Sequence, residues 1–308
     1  MKQKKYSLRQ IAKALGRSAS TICDELKRNK VHKLYNPKKA QHKAYVRRKS
    51  ARFQGKKIAL NDNLRKFVEI GLRDDLSPAA LAGRLASHEH DIPSVSKDSI
   101  YRFLKSPYGR SIEYQRDCKL RNHKRYRGKS IKLSNRKFID ERPLNIDLRK
   151  RVGDIEGDFI VSGKNGKGVL LVVVDRKLRV AFLEQICSVT IEAVHTAFLA
   201  IKTRFPEMKT MTTDNDILFR HHKKLEKLLQ IQIYFCHPYH SWEKGTVENT
   251  NKYIRKDIPK SADISHYSAT FLQSIEDKLN RRPLKCLRYF TPTEALARYR
   301  STKKSPNP

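Results

Sequence analysis

The spacing of apolar residues changes character near residue 152 of this 308-residue chain. Before that point apolar positions recur at helical intervals; after it, short alternating or continuous apolar runs take over. Leu8, Ile11, Ala12 and Leu15 fall at i, i+3, i+4 and i+7, one face of a short helix that Gly16 ends. Ser18 is placed to cap a second helix with Ala19, Ile22 and Leu26 on its buried face. Ala12, Gly16 and Ile22 supply a small residue where helices cross, a glycine turn and a β-branched seat, the spacing of a helix-turn-helix. Lys33 to Lys57, with Tyr35, Tyr45 and Phe53 interleaved, reads either as a helical arm over a phosphate backbone or as a solvated linker. Ser77-Pro78 opens a further helix carrying Leu81 and Leu85, and Ser96 caps Lys97 to Lys105 with Ile100, Phe103 and Leu104 as its stripe. That pair fits a second helix-turn-helix or a plain helical packing domain. Arg116 to Arg151 has few apolar residues and is expected to be an extended or partly ordered arm.

From Val152 the period is that of strands. Asp154 to Val161, Val169 to Val174 and Val180 to Ile186 read as three antiparallel strands, with Gly163 to Gly168 turning the first into the second. A helix over Ile191 to Phe205, a strand over Met208 to Thr213, a helix over His222 to Leu229 and a strand over Ile231 to Cys236 follow. This order predicts an α/β ribonuclease H-like core with a mixed five-stranded sheet and helices on both faces. The chain therefore reads as multidomain: a helix-turn-helix with a basic arm over 1–57, a second helical domain over 58–115, a basic linker over 116–151, and the ribonuclease H-like core with C-terminal helices over 152–308.

Charge narrows the partner. Sixty-seven Lys and Arg against 31 Asp and Glu give a formal +36, and Asp24 and Glu25 are the only acids in the first 57 residues. A polyanion is the expected partner, and nucleic acid fits best because each neutralised phosphate releases counterions. Arg17, Ser18, Ser20, Thr21, Lys27 and Arg28 are the candidates to reach bases and phosphates from the second helix, with Asp24 on the same outer face. A membrane is the poorer partner: the longest apolar run, Gly168 to Val174, is too short to span one, and no apolar leader opens the chain. The five cysteines are scattered and never spaced C-x-x-C, which argues against disulfides or a zinc ribbon and for a reduced, cytosolic setting.

Three acids stand where this fold would bring them together: Asp158 within the first strand, Asp214 at the end of the fourth, and Glu248 at the start of the helix after the fifth. Clustered carboxylates repel unless cations lie between them, and hard oxygen ligands suit Mg2+ or Mn2+. Two such ions would hold the attacking and leaving oxygens of a phosphodiester displacement. Asp154 and Glu156 share a strand face with Asp158, Asp175 reads as an exposed turn residue, and Glu243 competes with Glu248 from the irregular turn before the helix. Lys252 and Arg255 follow Glu248 at i+4 and i+7 on one helical face and are candidate DNA contacts.

Ile155-Glu156-Gly157-Asp158, Thr213-Asp214-Asn215, the Pro238-Tyr239 to Ser241-Trp242 turn with Glu248-Asn249-Thr250-Asn251, and Asn280-Arg281-Arg282-Pro283 together resemble the DDE transposases of the bacterial IS-thirty family. Gly16-Arg17-Ser18 with Ser20-Thr21-Ile22, Leu76-Ser77-Pro78 with Ser99-Ile100-Tyr101-Arg102, and Ile139-Asp140-Glu141-Arg142-Pro143 extend the resemblance over almost the whole chain. The resemblance implies Asp158, Asp214 and Glu248 as catalytic metal ligands, two Mg2+ or Mn2+ ions, and binding of terminal inverted repeats. It also implies strand cleavage and joining of 3′-hydroxyls to target DNA, at least a dimer on DNA, and a place in the bacterial nucleoid. Asp216 stands where the family usually has glycine, and less chain than usual precedes the first helix-turn-helix. Two other functions remain open on the residues alone: a non-catalytic DNA-binding repressor of its parent element, and a nuclease that cuts without joining.

Overall fold

The computed structural model describes residues 6–30, 34–51, 56–118, 136–163, 166–237 and 240–304. Helices α1 (Leu8–Leu15) and α2 (Ala19–Asn29) form the helix-turn-helix, with Ser7 and Ser18 accepting from the first-turn amides of each. Gly16 ends α1 at φ 61°, in the left-handed region that glycine enters without strain. Ile11, Ala12 and Leu26 are buried, but Leu15 is 56% exposed and Ala19 is also exposed, so the apolar face is narrower than its spacing predicts. Helix α3 (Pro37–Ala51) follows, anchored by Tyr35 donating to Glu25 at 3.1 Å and by Arg47 to the buried Asn29. Within the expected arm over 33–57, residues 33 and 52–55 lie outside the described residues.

Helices α4 (Lys56–Ala59), α5 (Asp62–Arg73), α6 (Pro78–Ser87), α7 (Lys97–Leu104) and α8 (Arg110–Cys118) enclose one core of Ile58, Leu64, Val68, Leu72, Leu81, Leu85, Ile100, Phe103 and Ile112. Residues 56–118 thus form a helical bundle, of which the sequence pattern revealed only α6 and α7. Arg116, expected in an arm, is in α8 and donates to the carbonyls of Leu72 and Leu76. Residues 119–135 lie outside the described set. From 136 the chain is built into the core: Phe138 bridges to Phe235, and α9 (Leu144–Asp147) buries Ile146. Arg142 is buried and donates to Thr212 at 2.9 Å. An extended arm is therefore the wrong description of residues 136–151, which are anchored through Phe138, Arg142 and Ile146 while Leu144 and Leu148 stay exposed.

The core sheet comprises β1 (Asp154–Val161), β2 (Val169–Asp175), β3 (Ala181–Ile186), β4 (Thr210–Thr213) and β5 (Gln232–Phe235), in the order β3-β2-β1-β4-β5. The first three strands are antiparallel, and β4 and β5 run parallel to β1. This is the ribonuclease H-like arrangement the element order predicts. Gly153, at φ 102°, admits the chain to β1: a Cβ there would lie 1.9 Å from the Glu207 carbonyl oxygen. Helices α10 (Ile191–Arg204) and α11 (His222–Leu229) cover one face over Ile155, Phe159, Leu171, Val173, Met211 and Phe235. The other face, with Ile160, Leu170, Val172 and Val174, lies under α12 (Gly245–Asp257) and α13 (Ala269–Asn280). Strand alternation turns Asp154, Glu156 and Asp158 toward this second face. Helix α14 (Pro292–Lys304) closes the chain, with Thr291 and Glu294 in a reciprocal cap and Glu294 in a two-pronged pair with Arg84 of α6, both contacts 2.7 Å. Among the described residues no helix is long and apolar enough to cross a membrane.

Candidate active site

The parallel pairing of β1 with β4 sets Glu156 opposite Thr212, so two residues further on Asp158 runs beside Asp214. One side chain joins them. Lys244, immediately before α12, places its Nζ 2.9 Å from Asp158 Oδ1 and 2.6 Å from Asp214 Oδ2. Burial works against that charged amine, but the two carboxylates overcome it and hold its pKa above the ordinary lysine value. Burial raises the Asp158 carboxyl; Lys244 opposes the shift and the like charge of Asp214 adds to it. Asp158 Oδ2 accepts from Asn251 Nδ2 at 2.6 Å, while Asp214 Oδ1 is buried with no hydrogen-bond partner among the described residues.

Helix α12 carries the rest. Val247, Ile254 and Ile258 are fully buried beneath it, each worth about 1.5–3 kcal/mol relative to exposure. Its N-terminus is fixed from the sheet: Glu156 Oε2 accepts from the amides of Thr246 and Val247 at 2.8 and 2.9 Å. A carboxylate at that end also complements the helix dipole. Arg176, itself buried, lies 3.3 Å from the other Glu156 oxygen. Glu248, half-buried, follows Lys244 by one turn and precedes Asn251 by three residues. Helical period therefore puts it on the face between the two side chains that touch Asp158.

The competing acids are engaged elsewhere. Asp154 is fully buried, paired with Arg151 and accepting from Thr210 Oγ1 at 2.7 Å. Asp175, expected exposed, is instead fully buried and accepts the amides of Lys177 and Leu178, which close the β2–β3 turn, and of Gly153 just ahead of β1. Glu243 accepts the His237 amide at 2.9 Å and faces the rings of His237 and His240, both at 3.1 Å. Asp216 caps the turn Ile217–Phe219 at φ −68°, an extended value open to any residue, so the glycine usual in the family is not required there.

The helix-turn-helix domain family matches residues 1–29. The transposase for insertion sequence element IS4351 of Bacteroides fragilis is 37% identical over 306 residues, 96% of this chain and 91% of that protein. Transposase InsI for insertion sequence element IS30A of Escherichia coli (strain K12) is 32% identical over 315 residues, 96% of this chain and 79% of that protein. The chain belongs to the IS30 family of insertion-sequence transposases. A third relative, the transposase for insertion sequence element IS1086 of Cupriavidus metallidurans, is 30% identical over 308 residues, 96% of this chain and 90% of that protein.

In this transposase the helix-turn-helix candidates Arg17, Ser18, Ser20, Thr21, Lys27 and Arg28 are all exposed, and Ser18 ties Ser20 and Thr21 together through its hydroxyl at 2.8 and 2.7 Å. Lys252 is exposed on α12. Arg255 differs: its guanidinium donates to the carbonyls of Val161 and Pro259 at 3.0 and 3.2 Å, binding α12 to the end of β1, and burial lowers its pKa. Lys244, Asn251 and Glu156 were not singled out from the sequence as parts of the site. Counting one turn back and three residues forward from Glu248 finds the first two. Glu156 was visible as a face-mate of Asp158, but its helix partner lies 90 residues away and nothing local announces it.

Proposed function

We propose that Asp158, Asp214 and Glu248 are the catalytic carboxylates of a DDE reaction in which this transposase cuts element ends and joins their 3′-hydroxyls to target DNA. The observation that carries this reading is the Lys244 ammonium bridging Asp158 and Asp214: the pair takes a cation between its oxygens, and Asp214 Oδ1 is a buried acceptor with no hydrogen-bond partner among the described residues. An all-carboxylate donor set of this kind fits Mg2+ or Mn2+. Such ions, when bound by the three acids, supply Lewis-acid stabilisation of the attacking and leaving oxygens of the phosphodiester. The protein's own side chains do the rest. Asn251 orients the Asp158 carboxylate, Glu156 and Arg176 hold α12 in place over the strands, and Lys252 offers a cation to the DNA backbone beside the site. Arg17, Ser18, Ser20, Thr21, Lys27 and Arg28 bind the terminal inverted repeats, and two ends are brought together by at least a dimer.

The test uses the full chain with a duplex carrying its own element ends. Asp158→Asn, Asp214→Asn and Glu248→Gln should each lower metal-dependent nicking by about 100-fold or more, while end binding by gel shift stays within about twofold of wild type. Nicking that survives all three substitutions overturns the assignment. End binding with no nicking by the unmodified protein would make the chain a DNA-binding repressor, and cutting without joined products would make it a nuclease.

A further inference from the structure

Ahead of α12 a second group of side chains has a different chemistry. His237, His240 and Glu243 recur at every third residue, and one ligand atom from each lies within 4.8 Å of the others. His237 Nδ1 and His240 Nδ1 are each 3.1 Å from Glu243 Oε1. A tetrahedral Zn2+ with bonds of about 2.0–2.1 Å sets its ligand atoms roughly 3.3 Å apart. Two of the three edges of this triangle therefore already have the length such an ion requires.

The surroundings fix which nitrogen would bind. Asp140 Oδ2 lies 2.9 Å from His237 Nε2, which commits that nitrogen to a proton and turns Nδ1 toward Glu243. A carboxylate holding the far side of a histidine ring is the arrangement that orients metal-bound histidines and raises their basicity. Phe138 stacks on His237 at 5.5 Å and Trp242 on His240 at 4.4 Å, so both rings are clamped from their faces. The hydrogen bond to Glu243, with Asp140 adding, raises the His237 pKa above the ordinary histidine value. A metal would displace those protons from the same acceptor.

We propose that His237 Nδ1, His240 Nδ1 and Glu243 form a Zn2+ site of the nitrogen-rich, borderline-soft class, distinct from the oxygen-only site at Asp158 and Asp214. Its place in the fold gives it a task. Glu243 directly precedes Lys244, and Asp140 comes from the segment that leads into the core, so a bound ion would tie that segment to the turn that aims α12. The inference rests on the side chains of this turn and on Asp140 and Phe138 packed against it, and stands or falls separately from the catalytic assignment.

The experiment titrates Co2+ into the metal-free full-length protein and follows the visible absorption of four-coordinate cobalt. One equivalent should produce the bands, stoichiometric Zn2+ should abolish them, and an Asp158→Asn/Asp214→Asn variant should keep them. His240→Ala and Glu243→Gln should weaken binding by about 100-fold or more, and Asp140→Ala, which acts through His237, by about 10–100-fold. Should the variants fail to fold, the wild-type protein decides: one equivalent of Zn2+ protects His237 and His240 from diethyl pyrocarbonate, mapped by mass spectrometry. Absent bands, bands that survive His240→Ala and Glu243→Gln, bands lost with the Asp158/Asp214 variant, or histidines equally modified with and without Zn2+ each overturn the proposal.

Discussion

Lys244→Met removes one charge and keeps the apolar stem that carries it. The lysine ammonium is the counter-ion of Asp158 and Asp214, at 2.9 and 2.6 Å, and its own side chain is buried. Deleting one partner of a buried ion pair costs about 3–5 kcal/mol, because the remaining charge stays uncompensated. The Asp214 side chain is 41% exposed, so water screens that arm and the expected loss falls to about 2–3 kcal/mol. At roughly 2–4 °C per kcal/mol for a domain of this size, the core should melt about 4–12 °C lower in chelator. Divalent cations reverse part of that loss. In the wild type a cation must compete with the ammonium; in the variant it enters between bare carboxylates and binds more tightly, which stabilises the folded state further. Scanning calorimetry with and without excess Mg2+ reads both effects. A variant that melts with the wild type in chelator, or an equal rise of the two Tm values in Mg2+, refutes this role for Lys244.

Three further outcomes follow from other parts of the molecule. Burial pushes the Asp175 carboxyl up to about 6 against the hydrogen bonds of three backbone amides. Its folded pKa lies above the unfolded one, so the folded state holds the extra proton and stability falls as pH rises from about 4 to 6, by about 3 kcal/mol. Asp175→Asn should remove that slope in urea titrations at pH 4 and 7; parallel slopes contradict it. A Cβ on Gly83 would meet the Tyr289 ring at 2.0 Å. Gly83→Ala should therefore cost about 1–3 kcal/mol and speed amide exchange in α6 and α14 by about tenfold; unchanged exchange contradicts it. Replacing Lys27 and Arg28 by alanine should reduce the slope of log binding constant against log salt by about 2 in fluorescence anisotropy with an end duplex; an unchanged slope removes them from the phosphate contacts.

Much of the fold was legible because its signals are local. The Asp154–Val161 strand and the His222–Leu229 helix coincide with their sequence-based bounds, since period 2 and period 3.6 are written into consecutive side chains. The Ser18 cap and the Gly16 stop are likewise local. Helix α5 is marked just as locally, by the Asn61 cap and the Leu64, Val68 and Leu72 stripe, but lies between two basic blocks whose charge dominates the composition on either side.

The sequence by itself determined the order of strands and helices, the excess of positive charge, and the placing of Asp158, Asp214 and Glu248 at an interior strand position, a strand end and a helix start. Only the tertiary structure decided which charges meet. Lys244 reaches Asp158 across 86 residues, Glu156 caps α12 across 90, and Asp175 is buried by amides from the start of β1 as well as from its own turn. Those pairings depend on strand register and on which sheet face a helix covers. Both are properties of the packed sheet, and no window of neighbouring residues contains them.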